Sequence, residues 1–530
     1  MTRIDPERDY EIDLGLDEPD DEPHLRAALA RQLRARPADL PPLEVRKRAI
    51  DARRGRVRFH LTVGAAGPAR ELGLPHPREV DAAPGRPHVV IVGDGPAGLF
   101  CAYQLARDGV ACTVVDRGKQ VQPRRHDLAA LNKAGAVDPD SNYCFGEGGA
   151  GTYSDGKLYT RAHKRGDVRD VIEILALHGA PPAILTDARP HIGSNKLPVV
   201  IASMRTRLEA AGVALRFGAR VVELAVDSGR AAGVVLQDGA VVAGDAVVLA
   251  TGHSARDVFE LLLRRGVPLE PKAFALGVRI EHPQPLIDQI QYGRAAGHAR
   301  LPAAAYRLAH QADGRGVFSF CMCPGGWVVP AATEPGGLVV NGMSLSRRDS
   351  RFANSGIVVG VEPGDVAAAT RVEERGGVLG GVALQRAIER AAFDAGGGAL
   401  RAPATRLTDF LARRGSTTVP DSSYLPGLAA ADVAEVVDAA GLALAARLRE
   451  GLAAFGRTLR GFLTEEAVLI ATESRTSAPV RVPRDPDTLE SPALPRLYPT
   501  GEGAGYAGGI VSAAMDGVRV ARAVRSALAR

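Results

Sequence analysis

The sequence predicts an α/β fold, and three segments carry that prediction. Residues 89–118 read VVIVGDGPAGLFCAYQLARDGVACTVVDRG: apolar strand, glycine-rich turn, helix, second apolar strand. Residues 197–252 repeat the alternation. There a helix with apolar spacing i, i+3, i+4, i+7 (LPVVIASMRTRLEAAGV) leads into short strands that end in AVVLATG. Residues 497–524, LYPTGEGAGYAGGIVSAAMDGVRVARAV, form a third strand–turn–helix unit. Units of this kind build a Rossmann-type parallel sheet. Their separation along the chain predicts a discontinuous domain made of residues 87–160, 190–257 and 465–530.

In the first segment every part has a physical task. Gly93 permits the tight strand-to-helix turn, Gly95 lets the backbone approach a pyrophosphate, and Gly98 lets helix and strand pack closely. Pro96, Ala97 and Gly98 open the helix, whose free N–H groups and positive dipole end suit a diphosphate. Asp116 stands 23 residues after Gly93, at the end of the second strand, where a carboxylate meets a ribose 2′-OH. A lone GxGxxG is weak in a chain with 60 glycines. Flanking strands and the acid make this one specific for a dinucleotide. Arg117 and Arg124 follow the acid and are candidate partners of the phosphates.

The C-terminal segment is similar to the second flavin motif of the two-dinucleotide-fold flavoproteins, the glutathione-reductase-like superfamily. The resemblance assigns Gly501 and Glu502 to the ribityl chain, with Glu in place of the usual Asp. Gly508, Gly509 and Ile510 start a helix whose bare N–H groups stabilise negative charge on the N1–C2=O edge of a reduced flavin. AVVLATG, with Thr251 and Gly252, resembles the segment by which such chains return to the FAD domain, and the same resemblance sets Val221 against the adenine. Three ordered motifs favour FAD over NAD. Narrower strings, FGEGGAGTYSDGKLYT (145–160), ATGHSARD (250–257), FALGVRIEHPQ (274–284), FSFCMCPGGWVVPA (318–331) and ESRTSAPVRVPRD (473–485), resemble the FAD-dependent dehydrogenase family of bacteria and plastids. In the first of these, Gly148, Gly149 and Ser154 lie on a loop whose backbone can approach the flavin ring.

Residues 258–464 are predicted to form an interleaved α+β substrate domain, with 365–397 helical throughout. Residues 1–86 are predicted to form a small α/β module, linked by the loop GLPHPREVDAAPGRPH. Its first 23 residues hold ten acids and two arginines. A helix, EPHLRAALARQLRA, and a strand–turn–strand follow. The basic stretch Arg46 to Arg58 is a candidate RNA or protein contact, or simply the charged face of a small sheet.

Composition sets bounds. Hydrophobic content of 45% and charged content of 24% are ordinary for a globular protein. A net charge of +5 with only 5% aromatics makes nucleic acid an unlikely partner. No apolar run reaches the ~18 residues of a membrane span. The acidic start lacks an apolar core of a signal peptide. Five widely spaced cysteines do not make a disulfide framework. These features predict a cytoplasmic location.

For chemistry, His253 is a candidate proton relay, Arg475 a candidate carboxylate clamp, and Tyr506 and Tyr306 are candidate pocket residues. The string ATGHSAR also resembles, imperfectly, the DGxxSxxR string of aromatic hydroxylases, with Thr251 in place of Asp and Ser254 one position early. Cys321-x-Cys323 lacks the spacing and position of a flavin-linked disulfide and reads as two inert core cysteines. No metal-ligand cluster and no second dinucleotide fingerprint is present. The expected function is an FAD-dependent oxidoreductase that moves hydride between a small organic substrate and flavin N5. One alternative is a reductase of activated double bonds driven by transiently docked NAD(P)H; another is a flavoprotein that acts on RNA.

Overall fold

The strand His88–Val92 is buried on both faces and sits at the centre of a five-stranded parallel sheet. The order is Leu497–Pro499, Ala246–Leu249, His88–Val92, Ala111–Val115, Ala214–Arg216, and every neighbouring pair is parallel. A central parallel strand must be apolar on both sides, and HVVIV is. Val89 and Ile91 join a core with the helices Pro96–Arg107 and Ile510–Leu528. Val90 and Val92 face the opposite layer, an antiparallel sheet of Val221–Asp227, Arg230–Leu236 and Val241–Ala243. A computed structural model of the chain describes residues 8–67, 76–83, 85–160, 162, 166–372 and 377–529.

The two helices that carry the outer motifs meet face to face. A Cβ at Gly517 would lie 2.0 Å from the carbonyl oxygen of Ala97, so only glycine lets Ile510–Leu528 approach Pro96–Arg107 this closely. Helix Val168–Leu177, outside the predicted dinucleotide-binding segments, buries Val171, Ile174 and Leu175 in the same core.

A second sheet has seven strands, in the order Ala309–Ala312, Arg315–Cys323, Phe352–Val361, Phe274–Pro283, Val468–Glu473, Ala402–Arg406, Leu428–Ala430. All its pairs are antiparallel except the last. This corrects one expected boundary: residues 468–473, assigned from sequence to the dinucleotide-binding part, pair with Phe274–Pro283 in the second sheet. An apolar run such as VLIATE fits a buried strand of either sheet. The expected continuous helix at 365–397 is also corrected. It is a short helix Pro363–Ala368 and a long one, Gly380–Ala395. The chain turns between them at Thr370 and Arg371, and residues 373–376 of that stretch lie outside the described residues.

The N-terminal module is a three-stranded sheet, Tyr10–Leu14, Arg58–Ala65, Leu43–Asp51, packed on helix Glu22–Leu33. Tyr10–Leu14 lies in the acidic segment, where charges on alternate residues mask a strand: Ile12 and Leu14 face the core. The module contacts both large sheets' bodies. Arg48 N donates to Thr186 O and Ala188 N to Arg48 O, each at 2.8 Å. Arg300 donates to Leu16 O at 2.8 Å and pairs with Asp20 at 2.9 Å. Of the connecting loop GLPHPREVDAAPGRPH, residues 73–75 and 84 lie outside the described residues.

Candidate active site

The fingerprint turn is built from glycine contacts. A Cβ at Gly98 would meet the carbonyl oxygen of Gly93 at 1.9 Å, and Gly93 itself holds φ +101°. Helix Pro96–Arg107 begins at Gly95 with no side-chain cap, as does Ile510–Leu528 at Gly509. Each therefore presents unsatisfied N–H groups and a positive end. Asp116 accepts from Asp94 N at 2.9 Å and from Gly118 N at 2.8 Å, which fixes its carboxylate at the end of Ala111–Val115. Asp94, which sequence reasoning passed over, is fully buried. Its Oδ1 has no hydrogen-bond partner among the described residues. Burial, then the nearby charges of Asp116 and Glu147, push its carboxyl well above the usual range. Val221 packs with Val92, Val115 and Phe145 beside the strand ends.

The loop 142–156 lies against this turn. Gly148 and Gly149 adopt φ +74° and +62°, and a Cβ on Gly149 would fall 2.8 Å from the Cα of Gly95. The two glycine turns thus touch backbone to backbone. Arg124 organises the loop. Its guanidinium donates to the carbonyls of Asn142, Tyr143, Glu147 and Gly149, at 2.8 to 3.1 Å. This corrects the expected phosphate role: with its donors committed to carbonyls and its side chain sealed, Arg124 is a scaffold cation. Arg117 is likewise engaged, with Asp140 at 2.8 Å and Asp257 at 3.0 Å, and it stacks over Phe145. Neither arrangement had a signal in the sequence, because both depend on contacts across the fold.

A small cleft opens where this loop faces the strands Gly326–Pro330 and Val340–Ser344. Tyr143, Tyr153, Ser154, His253, Asn341 and Glu473 are among its walls. His253 Nδ1 lies 2.8 Å from Ser254 Oγ, which donates to Cys144 Sγ at 3.4 Å. Burial, aided by Arg475 and Arg256, lowers the His253 imidazole to about 4, so it is neutral at pH 7. Glu473 sits beside fully buried Arg279, at 2.5 Å. Burial pushes Glu473 up to about 7 against the pull of that guanidinium. Burial also raises Glu502 to about 7, with Lys272 opposing. Gly501 N donates to Asp516, which also holds Arg484 and Thr500 and anchors the turn from inside. Gly252 at φ +70° and Gly508 both have open space where a Cβ would stand.

Three expectations about chemistry are corrected. Arg475 borders the cleft, but its guanidinium makes a two-pronged pair with Glu389 at 3.0 and 2.9 Å and bonds Thr333. Glu389 holds Arg256 as well, so the clamp expected for a substrate carboxylate is a buried ion network of the fold. Tyr506 stacks between Arg481 and Arg484, and its oxygen accepts from Arg484 N at 3.1 Å, away from the cleft walls. Tyr306 is a core residue packed edge-on against Phe462. Sequence reasoning missed Glu473, although it stands two residues before Arg475 in a quoted motif; nothing local marks it as a wall of the cleft.

Family comparisons agree with a flavin-binding fold. A model of FAD binding domains matches residues 86–137, one of FAD dependent oxidoreductases residues 198–336, and one described as FAD-dependent protein, C-terminal domain-like, residues 273–476. A domain of unknown function matches residues 7–66. An uncharacterised protein of Clostridium beijerinckii is 39% identical over 537 residues, which covers 96% of this chain and 97% of that protein. The chain belongs to the FAD-dependent oxidoreductases, in one family with that clostridial protein. FAD is the cofactor of this oxidoreductase. Solved structures with partial likeness include the tetracycline destructase Tet(51), at 12% identity and TM-score 0.35 over 84% of each chain. A geranylgeranyl bacteriochlorophyll reductase-like protein of Thermoplasma acidophilum also has 12% identity and TM-score 0.35, over 84% of this chain and 80% of that one. No helix among the described residues of the oxidoreductase is long and apolar enough to cross a membrane.

Proposed function

We propose that this oxidoreductase is a dehydrogenase that takes hydride from a small organic substrate held in the cleft and delivers it to flavin N5. The FAD supplies the two-electron acceptor when bound. The fit of the cofactor rests on two uncapped helix starts, at Gly95 and Gly509, on the open glycines Gly252 and Gly508, and on the orphaned acceptor Asp94 Oδ1. In this reading Gly93 to Gly98 would hold the pyrophosphate and Asp116 the ribose. Val221 would cover the adenine. Gly148, Gly149 and Ser154 would face the ring, and Thr251, Gly252, Gly501, Glu502 and Gly508 to Ile510 would hold the ribityl and pyrimidine side.

The observation that carries the substrate site is the placing of a neutral His253 and of Glu473, whose carboxyl burial raises to about 7, in one cleft. His253, through Ser254, can pass a proton away from a hydroxyl or amine. Glu473 can accept or hold one at its carboxyl near neutral pH. The rings of Tyr143 and Tyr153 give the cleft apolar wall. Among the described residues, only one sheet is parallel throughout, so a nicotinamide would have no dinucleotide-binding sheet of its own there and could reach the flavin only by transient docking. The test is an anaerobic titration of the FAD-loaded protein with NADPH and NADH. Unchanged flavin absorbance, with full bleaching by dithionite, is expected; rapid bleaching would overturn the reading in favour of a nicotinamide-driven reductase.

A further inference from the structure

Cys321 and Cys323 lie at the end of the strand Arg315–Cys323, where its pairing breaks. Phe320 pairs with Gly356 and Cys323 with Asn354, so the cysteine strand carries one extra residue there. Cys321 adopts φ +44°, the left-handed conformation of a bulge. On a regular strand, residues i and i+2 stand ~6.6 Å apart at Cα, at the far limit for a disulfide. Both sulfurs lie within 4 Å of one ammonium, that of Lys157, and the Cys323 thiol folds back to donate to Cys321 O at 3.3 Å.

Two fixed cations attend the sulfurs. Lys157 Nζ lies 3.9 Å from Cys321 Sγ and 3.6 Å from Cys323 Sγ. Asp155, itself held by Arg348 at 2.7 Å, anchors Lys157 at 2.7 Å. Arg279 Nη2 is 3.7 Å from Cys323 Sγ and bonds Cys321 O at 2.7 Å. The Cys323 hydrogen bond, Lys157 and Arg279 hold the Cys321 thiol well below its ordinary range, while Cys323 is pushed well above it. Cys101 and Cys112 differ: apolar burial raises both, Cys112 to about 12, and they are inert. The sequence expectation of two buried core cysteines is corrected for Cys321. Cys323 is sealed, but Cys321 is partly exposed beside the half-exposed Lys157.

We propose that Cys321 and Cys323 are a redox-active dithiol, with Cys321 as the attacking thiolate and Lys157 as the cation that holds it. The oxidant is a low-molecular-weight disulfide of the glutathione class. Cys321 Sγ attacks one sulfur of R–S–S–R, forming Cys321–S–S–R and expelling one thiolate. Cys323 gives up its proton and attacks Cys321 Sγ, expelling the second thiolate. The pair loses two electrons to R–S–S–R, and the Cys323 proton plus one from water neutralise the two thiolates released. Thiol state near the cleft would then follow the redox poise around the enzyme.

The FAD-loaded full chain is equilibrated in glutathione buffers of graded ratio, quenched with N-ethylmaleimide and digested with trypsin. The fragment 316–347 carries both cysteines. Its expected state under oxidising ratios is an internal disulfide with no alkylation, reversed by dithiothreitol. In Cys323→Ser the reaction should stop at a glutathione adduct on Cys321. Lys157→Met should slow alkylation of Cys321 at pH 7 by about tenfold, with the pH midpoint moved upward. A fragment that stays doubly alkylated at every ratio, or an alkylation profile indifferent to Lys157, overturns the proposal.

Discussion

Glu389→Gln should unfold the second body early. Glu389 is 2% exposed and receives Arg256 at 2.9 and 3.1 Å, Arg475 at 2.9 and 3.0 Å, and Ser474 at 2.7 Å. Burial alone would push its carboxyl up, but Arg256 and Arg475 outweigh burial and hold it at about 2, against an ordinary 4.5. That drop corresponds to about 3 kcal/mol of stability. The amide variant also strands Arg475, whose other side-chain partner is Thr333. Removing one member of a buried ion pair costs about 3–5 kcal/mol. The sign follows from a depressed folded value: the contribution is complete above pH 4.5 and is lost as pH falls toward 2. Urea unfolding followed by Trp327, the one tryptophan of the chain, reports on the neighbouring strand Gly326–Pro330. At pH 7 the variant should unfold at markedly lower urea, and the gap from the parent should close as pH drops from 4.5 to 2. A gap below about 1 kcal/mol at pH 7, or one that does not narrow with acid, would refute the network's role.

Three further outcomes are expected. Gly517→Val should lose FAD on gel filtration and melt early, because its Cβ would meet Ala97 backbone at 2.0 Å, and backbone cannot turn aside; a variant that keeps its flavin and its melting temperature argues against the close helix pair. Glu473→Gln should abolish a break in the pH profile of kcat/KM near 7, the value to which burial lifts that carboxyl, while Glu502→Gln tests whether the break belongs to the other acid raised to about 7. Transfer RNA should bind the chain no better than a neutral control. Arg46, Arg48 and Arg58 already pair with Asp9, Asp20 and Asp13 at 2.5 to 2.8 Å, so few counterions could be released; a steeply salt-dependent affinity would reverse that view.

The parallel sheet was legible because its signals are local. VVIVGDGPAG and ACTVVD carry strand, turn and acid within one short window, and a window is what periodicity reads. The second sheet was not, since antiparallel partners such as Phe274–Pro283 and Val468–Glu473 are almost 200 residues apart. Arginine roles suffered most. Arg124 and Arg475 look like ligands for anions in sequence, yet four carbonyls and Glu389 occupy them. A guanidinium in a folded core has many possible partners, and only geometry chooses among them. His253 was found because it adjoins the ATG turn, whereas Glu473 faces the cleft only through the pairing of a strand that sequence assigned elsewhere.

The N-terminal module touches the parallel-sheet body through Arg48 and the seven-stranded body through Arg300. It works as a strap across the seam. Two bodies that share a cleft ordinarily gain access for ligands by swinging about a hinge. Here a third element is fastened to both sides, so any swing must either break those bonds or carry the strap along. Local movement of side chains and loops at the mouth of the cleft, by contrast, would leave those bonds intact.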